Sequence, residues 1–321
     1  MKKTVWSDLD HKIWKSKREW PPFKRLLVAF SGGVDSVVLL NVIHRLSSAG
    51  QFEFIAAHVH HGQAENQAWR DEALEWCRDY CVTKLGVSFV QGGPSPQPLF
   101  SEESLREYRY HELHRLKLEH ECDLILTAHH FDDLLETRIL RLLRGTGPAG
   151  LSSMTSLEGD LWRPLLEVSR SEIMEYAKKN NLTNLEDPSN SSLDPQRNWV
   201  RHQLLPFIEN RQRGLTANLG RSLQLLVEAM EIPVPLELTI EGQSRLSFAR
   251  QGYLGLSKSD QRRLLATVLL KLGLRDYSQG QIEEIHKRLD NSQIVHTFTF
   301  RSVLWAIDAR QVRAEIISHF L

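Results

Sequence analysis

Short apolar runs alternate with amphipathic segments in the first half of the chain, and this rhythm predicts strands that alternate with helices. Four apolar runs are typical of buried parallel strands, at residues 25–30, 54–60, 87–90 and 123–128. Apolar residues recur at helical spacing in the segments that follow, at residues 37–46, 68–84, 102–119 and 134–144. An alternation of this length predicts an α/β fold with a doubly wound parallel sheet.

The pattern changes after residue 148. Helices are expected at residues 169–180, 215–230, 260–272 and 279–289, strands at 297–300, 303–307 and 312–317, and a polar loop at 184–198. Pro233 and Pro235 interrupt the chain after one of these helices and predict a hinge. We therefore expect three parts. They are a catalytic α/β domain over residues 1–210, a linker helix and hinge over 211–232, and a smaller C-terminal domain, mostly helical or α+β, over 233–321.

The composition is that of a globular protein without a membrane segment. Hydrophobic residues make up 41% and charged residues 25% of the 321, which is ordinary for such a protein. No apolar run approaches the roughly 20 residues that span a bilayer, and the N-terminus lacks the apolar core of a secretory signal. Three cysteines are too few for a disulfide framework, so we expect a cytoplasmic protein. Forty basic residues balance forty acidic ones, so net charge does not indicate a nucleic-acid partner.

A glycine-rich loop connects the first predicted strand to the first predicted helix. Its sequence is Ser31-Gly32-Gly33-Val34-Asp35-Ser36, and it lies where ligands bind in open α/β sheets. The glycines let backbone amides approach a phosphate, and the N-terminus of the helix favours an anion. Asp35 would repel phosphate unless a cation lies between them, so it is a candidate Mg²⁺ ligand. The loop has neither the Walker A ending nor the Gly-x-Gly-x-x-Gly pattern of dinucleotide sites.

A second polar cluster follows the fourth predicted strand, at residues 127–137. Asp133 and Glu136 are three residues apart and lie on one helical turn, and Asp35 and Asp133 are expected to converge on one metal. His129 is a candidate for contacting phosphate or the charge that develops on pyrophosphate. Two other interpretations stay open. In the first, His129 and His130 are ordinary loop residues and Asp132 or Asp133 only caps the helix. In the second, the His-His-x-Asp-Asp cluster is a metal site in its own right.

These motifs and several downstream blocks resemble a known family. The glycine-rich loop resembles the signature of PP-loop ATP-pyrophosphatases, an adenine-nucleotide alpha-hydrolase-like fold whose members cleave ATP between the α- and β-phosphates. The blocks that narrow the resemblance are residues 58–62, 106–110, 127–137, 144–147, 150–154, 163–166, 186–190 and 197–201. Together they are similar to the tRNA(Ile)-lysidine synthetases over about residues 26–206.

The resemblance implies an activity and a set of roles. Members of the family use ATP to activate C2 of the wobble cytidine in the CAU anticodon of tRNA(Ile), and the ε-amino group of free lysine then displaces AMP. It implies ATP at Ser31–Ser36, Mg²⁺ at Asp35 and Asp133, assistance to adenylation by His129, and Glu136 facing the lysine amine. Five arginines would contact tRNA, lysine or nucleotide: Arg106, Arg109, Arg144, Arg197 and Arg201. We expect the C-terminal domain to bind tRNA. The sequence leaves open whether the chain forms a homodimer.

Three alternative functions stay open at this point. A tRNA 2-thiolase commonly carries Cys-x-x-Cys pairs, whereas Cys77 and Cys81 are spaced Cys-x-x-x-Cys and Cys122 is the third cysteine, so we expect packing roles for them. An amide-forming synthetase would need free ammonia, because no N-terminal nucleophilic cysteine is present. A non-catalytic binding module is the third alternative, and the intact set of acidic residues and His129 argues against it.

Overall fold

A computed structural model describes residues 6–16, 22–50, 52–60, 67–95, 102–146, 148–152, 154–185, 195–230, 236–241, 244–274, 277, 279–290 and 296–317. The chain divides into two compact units. The first comprises Met1–Glu136 and Thr155–Gln203, and the second comprises Thr137–Met154 and Leu204–Leu321. The domain boundaries at residues 210 and 232 stay a prediction, and the expected hinge prolines lie outside the described residues.

The described elements are numbered along the chain. The helices are α1 Asp8–Ser16, α2 Val34–Gly50, α3 Gln67–Asp79, α4 Glu102–Glu119, α5 Phe131–Leu143, α6 Pro148–Leu151, α7 Arg170–Lys179, α8 Pro195–Trp199, α9 Leu205–Arg211, α10 Leu215–Met230, α11 Arg250–Leu254, α12 Lys258–Lys271 and α13 Gln279–Asp290. The strands are β1 Arg25–Ala29, β2 Glu53–Val59, β3 Phe89–Gly92, β4 Leu124–Leu126, β5 Leu157–Glu158, β6 Leu161–Trp162, β7 Thr239–Glu241, β8 Arg245–Ala249, β9 His296–Phe300, β10 Val303–Ile307 and β11 Gln311–Ile316. Two π-helical segments extend α3 and α8, at Tyr80–Leu85 and Val200–Leu204.

The first unit is built on a six-stranded sheet with the order β3-β2-β1-β4-β6-β5. Its strands are parallel except for the short β5–β6 pair. The chain runs outward from β1 to β2 and β3, and it then returns to place β4 on the other side of β1. The gap between the carboxyl ends of β1 and β4 is therefore the switch point at which such sheets bind ligands.

Both faces of this sheet are covered by helices. Leu26 and Val28 of β1 are fully buried in one cluster with the apolar face of α2, and Leu27 between them is buried in a second cluster with Leu113 of α4. Alternate strand residues point to opposite faces, so the continuous apolar run of β1 matches a strand buried on both sides. The predicted doubly wound parallel sheet is confirmed.

The second unit contains a five-stranded antiparallel sheet with the order β7-β8-β11-β10-β9. Trp305 of β10 is fully buried, and it packs in one core with Leu264 of α12 and Ile285 of α13. On the neighbouring strand, Phe298 stacks on Trp305 with a centroid distance of 6.1 Å. This arrangement of helices on an antiparallel sheet confirms the expected α+β second domain.

Several elements differ from the sequence-based expectation. The pairs β5–β6 and β7–β8 are missed, because their strands are only two to five residues long. The expected polar loop at 184–198 is wrong at its end, because α8 begins at Pro195. Proline is compatible with the first helical turn, where its missing N–H removes no helical hydrogen bond. Within the described part of the chain, no helix combines the length and apolar character needed to cross a membrane.

Candidate active site

The glycine-rich loop begins where β1 ends, and β2 holds it in place. The backbone N–H of Phe30 donates to the carbonyl of Ala57 across 2.8 Å. The Phe30 carbonyl lies 2.9 Å from Nδ1 of the buried His58. Burial lowers the pKa of His58, so its imidazole is neutral near pH 7 and donates from Nδ1 to this carbonyl. The first peptide of the loop is therefore fixed from both sides.

Gly32 occupies a position that accepts no side chain. Its φ is +85°, a left-handed value that L-residues other than glycine rarely adopt. A Cβ atom here would lie 2.8 Å from Cδ1 of Leu185 and 3.1 Å from Sγ of Cys77. At Gly33 the nearest atom to such a Cβ would be Oγ of Ser31, at 3.6 Å. The first glycine is thus required by the fold of the loop itself, whereas a Cβ at the second would make only ordinary van der Waals contact.

The two serines brace the loop from within. Oγ of Ser36 donates to the carbonyl of Gly33 across 2.8 Å, and the backbone N–H of Ser31 donates to Oγ of Ser36 across 3.3 Å. The first helical hydrogen bond of α2 then runs from Val37 to Gly33 at 3.0 Å. The amides in the first turn of a helix have no partner further back in the helix. This loop therefore presents a helix N-terminus suited to phosphate.

His130 lies among three carboxylates, and it is 2% exposed. Its Nε2 is 3.5 Å from Oδ2 of Asp133 and 3.8 Å from Oδ2 of Asp35. Its Nδ1 is 3.6 Å from Oδ2 of Asp132. Burial alone would lower the pKa of His130, but the carboxylates outweigh burial and raise it. The segment after β1 and the segment after β4 thus approach each other at this imidazole.

The surroundings of Asp35 are compatible with a divalent cation, for which Asp35 and Asp133 are the predicted ligands. Burial raises the pKa of Asp35, while His130 acts in the opposite direction. Oδ1 of Asp35 is buried and accepts no hydrogen bond from the described residues, and such an oxygen is costly unless a cation compensates it. Among the described residues, no three His, Cys, Asp or Glu side chains are grouped to hold a metal by themselves. Mg²⁺ commonly takes only one or two carboxylates and completes its coordination with water and phosphate oxygens.

His129 occupies a region of positive charge. It is half-buried, and its Nδ1 is 2.9 Å from the hydroxyl of Thr127. Burial holds the pKa of His129 well below its usual range, and nearby guanidinium groups lower it further. In order of effect these belong to Arg109, Arg163, Arg106 and Arg197. The imidazole is therefore neutral near pH 7, and the surrounding charge favours an anion such as phosphate.

Glu136 is paired with two arginines of the following helical segments. Its carboxylate is 2% exposed and accepts from Nε and Nη2 of Arg201 at 2.7 and 2.9 Å. Nε of Arg197 lies 3.4 Å from the same carboxylate, and Nη2 of Arg201 also donates to Oδ1 of Asp133 across 3.1 Å. The structure thus brings four predicted site residues into one ion-pair network that joins α5 to α8 and to the π-helical segment after it.

The other predicted arginines fall into two groups. Arg106 and Arg109 lie on α4, with their guanidinium carbons 5.4 and 5.7 Å from the centre of the Tyr110 ring, a cation–π arrangement. Their charges reach His129, so they belong to the same region. Arg144 lies in the second unit and is exposed at the end of α5. Gly145 follows it with φ +73°, which is the predicted helix C-cap.

The three cysteines are buried. Burial raises the pKa of Cys77 far above its usual value and that of Cys81 to about 12, and it also raises the pKa of Cys122. The thiolate is the reactive form, so these thiols stay protonated near pH 7. Cys77 instead packs beneath Gly32. The packing role expected for Cys77 fits this position, and the chemistry of the thiols does not favour sulfur transfer.

The predicted site residues do not include His130 and Arg163. His130 was considered only as a loop residue or as part of a histidine–aspartate metal site, although it lies at the centre of the carboxylates. Arg163 is buried and donates to the carbonyl of Thr155 across 2.8 Å, while its charge reaches His129. Their positions after β4 and β6, on adjacent strands, are the signal that could have identified them.

Comparison with known proteins gives a consistent result. A family model described as a PP-loop domain matches residues 6–208. A tRNA(Ile)-lysidine synthase from Bdellovibrio bacteriovorus is 43% identical over 314 residues, which cover 96% of this chain and 97% of that protein. A second tRNA(Ile)-lysidine synthase, from Pseudomonas fluorescens, is 32% identical over 97% of this chain and 74% of its own length.

Among solved structures, the U34-tRNA thiolase NcsA from Methanococcus maripaludis has a similar fold. The match has a TM-score of 0.56 and 18% identity, and it covers 70% of this chain and 79% of that one. Identity at this level supports the fold alone. It agrees with the parallel sheet of the first unit.

Proposed function

The chain belongs to the tRNA(Ile)-lysidine synthase family, which is built on a PP-loop domain, and from this premise we propose the reaction that it performs. It ligates free L-lysine to C2 of the wobble cytidine in the CAU anticodon of tRNA(Ile) and converts ATP to AMP and pyrophosphate. One observation carries this proposal: the phosphate loop after β1 and the acidic cluster after β4 meet at His130, within 3.8 Å. The reaction takes place where tRNA is found, in the cytoplasm.

ATP lies with its phosphates on the loop Ser31–Ser36. The backbone amides of the loop and the N-terminus of α2 bind the phosphate oxygens. Gly33 leaves room for this approach, since nothing lies closer than 3.6 Å to a Cβ built there. Asp35 and Asp133 would hold Mg²⁺, which neutralises phosphate charge when bound. Ser31 is exposed, and its hydroxyl donates to Oγ of Ser36 across 3.2 Å, which leaves its oxygen beside the loop amides.

Adenylation forms the first new bond. O2 of the cytosine attacks the α-phosphorus of ATP, the bond between the α-phosphorus and the bridging oxygen breaks, and pyrophosphate leaves. His129, neutral in its positive surroundings, contacts the phosphates, and the guanidinium groups of Arg106 and Arg109 stabilise the charge that develops on pyrophosphate. The cytidine has to leave its stack to reach the loop, as is general for enzymes that act on a base.

Lysine transfer is the second step. The ε-amino nitrogen attacks C2 of the activated cytosine, the bond between C2 and O2 breaks, AMP leaves with that oxygen, and the amine loses a proton. A free lysine amine is mostly protonated near pH 7, with a reference pKa of about 10.4, so a carboxylate that attracts and orients it is useful. Glu136 takes this role, held in position by Arg201 and Arg197.

The arginines on several elements bind tRNA. Arg106, Arg109, Arg197 and Arg201 in the first unit, and Arg144 in the second, contact tRNA or lysine. Phosphate contacts by arginine supply affinity and position the nucleic acid without reading its sequence. The second unit is a tRNA-binding domain in this proposal.

The two half-reactions can be separated experimentally. The purified full-length chain is incubated with ATP, Mg²⁺ and a tRNA(Ile) transcript with the CAU anticodon, with or without lysine. Pyrophosphate should be released in the presence of tRNA, while AMP should be released only when lysine is added. Pyrophosphate release that requires neither tRNA nor lysine would overturn the proposal.

A further inference from the structure

The position of His130 suggests a role that the reaction scheme does not give it. We propose that His130 is a positioning residue that holds the carboxylates of Asp35 and Asp133 at the spacing at which they share one divalent cation. The inference rests on the proposed function for the identity of the two ligands. It adds a residue that increases the affinity of the site for the cation.

One nitrogen of His130 faces both ligands. Nε2 lies 3.8 Å from Oδ2 of Asp35 and 3.5 Å from Oδ2 of Asp133. The two aspartates come from different segments, the start of α2 and the first turn of α5. Two carboxylates that approach one nitrogen from separate elements repel each other, so the group between them influences how far apart they lie. His130 is the group that lies between them.

The rest of the residue fixes the orientation of this nitrogen. The backbone N–H of His130 donates to Oδ2 of Asp133 across 3.1 Å. On the other side of the ring, Nδ1 lies 3.6 Å from Oδ2 of Asp132, and that oxygen accepts from the backbone N–H of Arg170 across 2.8 Å. The ring is 2% exposed, so it cannot turn out into solvent. The backbone hydrogen bond and the burial of the ring keep Nε2 on the side of Asp35 and Asp133.

His130 differs from a direct metal ligand in a way that can be measured. Mg²⁺ prefers oxygen ligands, whereas imidazole suits zinc and other transition metals. A group that orients the ligands typically changes metal affinity by about 10- to 100-fold when it is replaced. It leaves the chemical step intact once the cation saturates the site.

The test measures cation binding without turnover. Mn²⁺, which replaces Mg²⁺ as a spectroscopic probe, is titrated into the full-length protein with a non-hydrolysable ATP analogue, and free Mn²⁺ is followed by electron paramagnetic resonance. His130→Ala should weaken Mn²⁺ binding by about 10-fold or more. His130→Gln, which retains a donor, should lose less. The matched control is His114→Gln, since His114 also faces a carboxylate, with Nδ1 3.4 Å from Oδ2 of Asp160, and lies outside the site; it should bind Mn²⁺ like the wild type.

Kinetics give a second readout. In the His130 variants, the Mg²⁺ concentration for half-maximal pyrophosphate release should rise, while kcat at saturating Mg²⁺ should recover toward the wild-type value. Unchanged Mn²⁺ affinity in both variants would overturn the inference. An equal loss of analogue binding measured in EDTA would also overturn it, because the defect would then lie in the fold of the loop. Mn²⁺ binding requires neither tRNA nor lysine, so this result is independent of whether lysine transfer occurs.

Discussion

Leu185 donates its backbone N–H to the carbonyl of Gly32 across 2.9 Å, and its side chain fills the space where a Cβ of Gly32 would lie. A residue more than 150 positions away in sequence thus supports the phosphate loop from below. The contact explains why this glycine is needed, since the loop has no room for a side chain on that side.

The first prediction compares the two glycines. Gly32→Ala should lower the free energy of unfolding by about 2–4 kcal/mol, because it combines a left-handed backbone with overpacking against Leu185 and Cys77. Gly33→Ala should change it by less than about 1 kcal/mol, since a Cβ there meets nothing within 3.4 Å. Urea unfolding of both variants measures this. Equal stability of the two would contradict the packing account.

The second prediction concerns the proposed cation ligands. Asp35→Asn and Asp133→Asn should each slow tRNA-dependent pyrophosphate release by about 100-fold or more, which corresponds to about 3 kcal/mol of lost charge stabilisation. EDTA should abolish release by the wild type. Asp79→Asn, a change at an exposed position, serves as the control. A variant with full activity would remove its aspartate from the cation site.

The third prediction concerns the charge of His129. Its folded pKa lies well below the usual value, so its Cε1–H signal in ¹H–¹³C NMR should not titrate between pH 8 and about 6. His129→Asn identifies the signal. Arg109→Met should move its pKa upward, because Arg109 contributes the largest charge effect. A midpoint near the reference value of about 6.5 in the wild type would contradict the expected neutral imidazole.

The same shift has a consequence for stability. The unfolded chain protonates His129 below about pH 6.5, whereas the folded chain does not. The unfolded state therefore binds more protons in this range, and the free energy of unfolding falls as the pH drops below that value. His129→Asn should reduce this pH dependence of stability, as measured by urea unfolding between pH 7 and pH 5. An unchanged pH dependence would argue against a depressed pKa.

The fourth prediction concerns the Glu136–Arg201 pair. Glu136 is buried while Arg201 is 30% exposed, so the pair should contribute a coupling energy of about 2 kcal/mol, less than a fully buried one. A double-mutant cycle with Glu136→Gln and Arg201→Met measures it by urea unfolding. The exposed Arg78–Glu75 pair, 3.8 Å apart, should give less than about 0.5 kcal/mol in the same cycle. Additive effects at Glu136 and Arg201 would show that the two side chains stabilise the fold independently.

Much of the first unit follows from local patterns in the sequence. An uninterrupted apolar run such as residues 25–30 predicts a strand that is buried on both faces, because a half-exposed strand would alternate apolar and polar residues. The loop after β1 is recognisable because its two glycines, its serines and the N-terminus of the following helix are all suited to binding phosphate. Position after a strand then places Asp35 and Asp133 at a common edge. Each of these inferences uses residues that are close in sequence.

The remainder depends on contacts between distant segments. Leu185 is an ordinary leucine in the sequence, and nothing near it reveals that it supports Gly32. Glu136 and Arg201 are 65 residues apart, so their pairing requires the fold. The same is true of His130, whose three carboxylates come from two segments. Short strands such as β7 carry too few residues for their alternation to be distinguished from a loop.

Transfer of labelled lysine to tRNA tests the central claim most directly. The full-length chain is incubated with ATP, Mg²⁺, radiolabelled L-lysine and a tRNA(Ile) transcript with the CAU anticodon, and acid-precipitable label is counted. Label should enter this transcript, and replacing the wobble cytidine by uridine should abolish its incorporation. If label fails to enter the CAU transcript, or enters equally well without the wobble cytidine, the proposed function is contradicted.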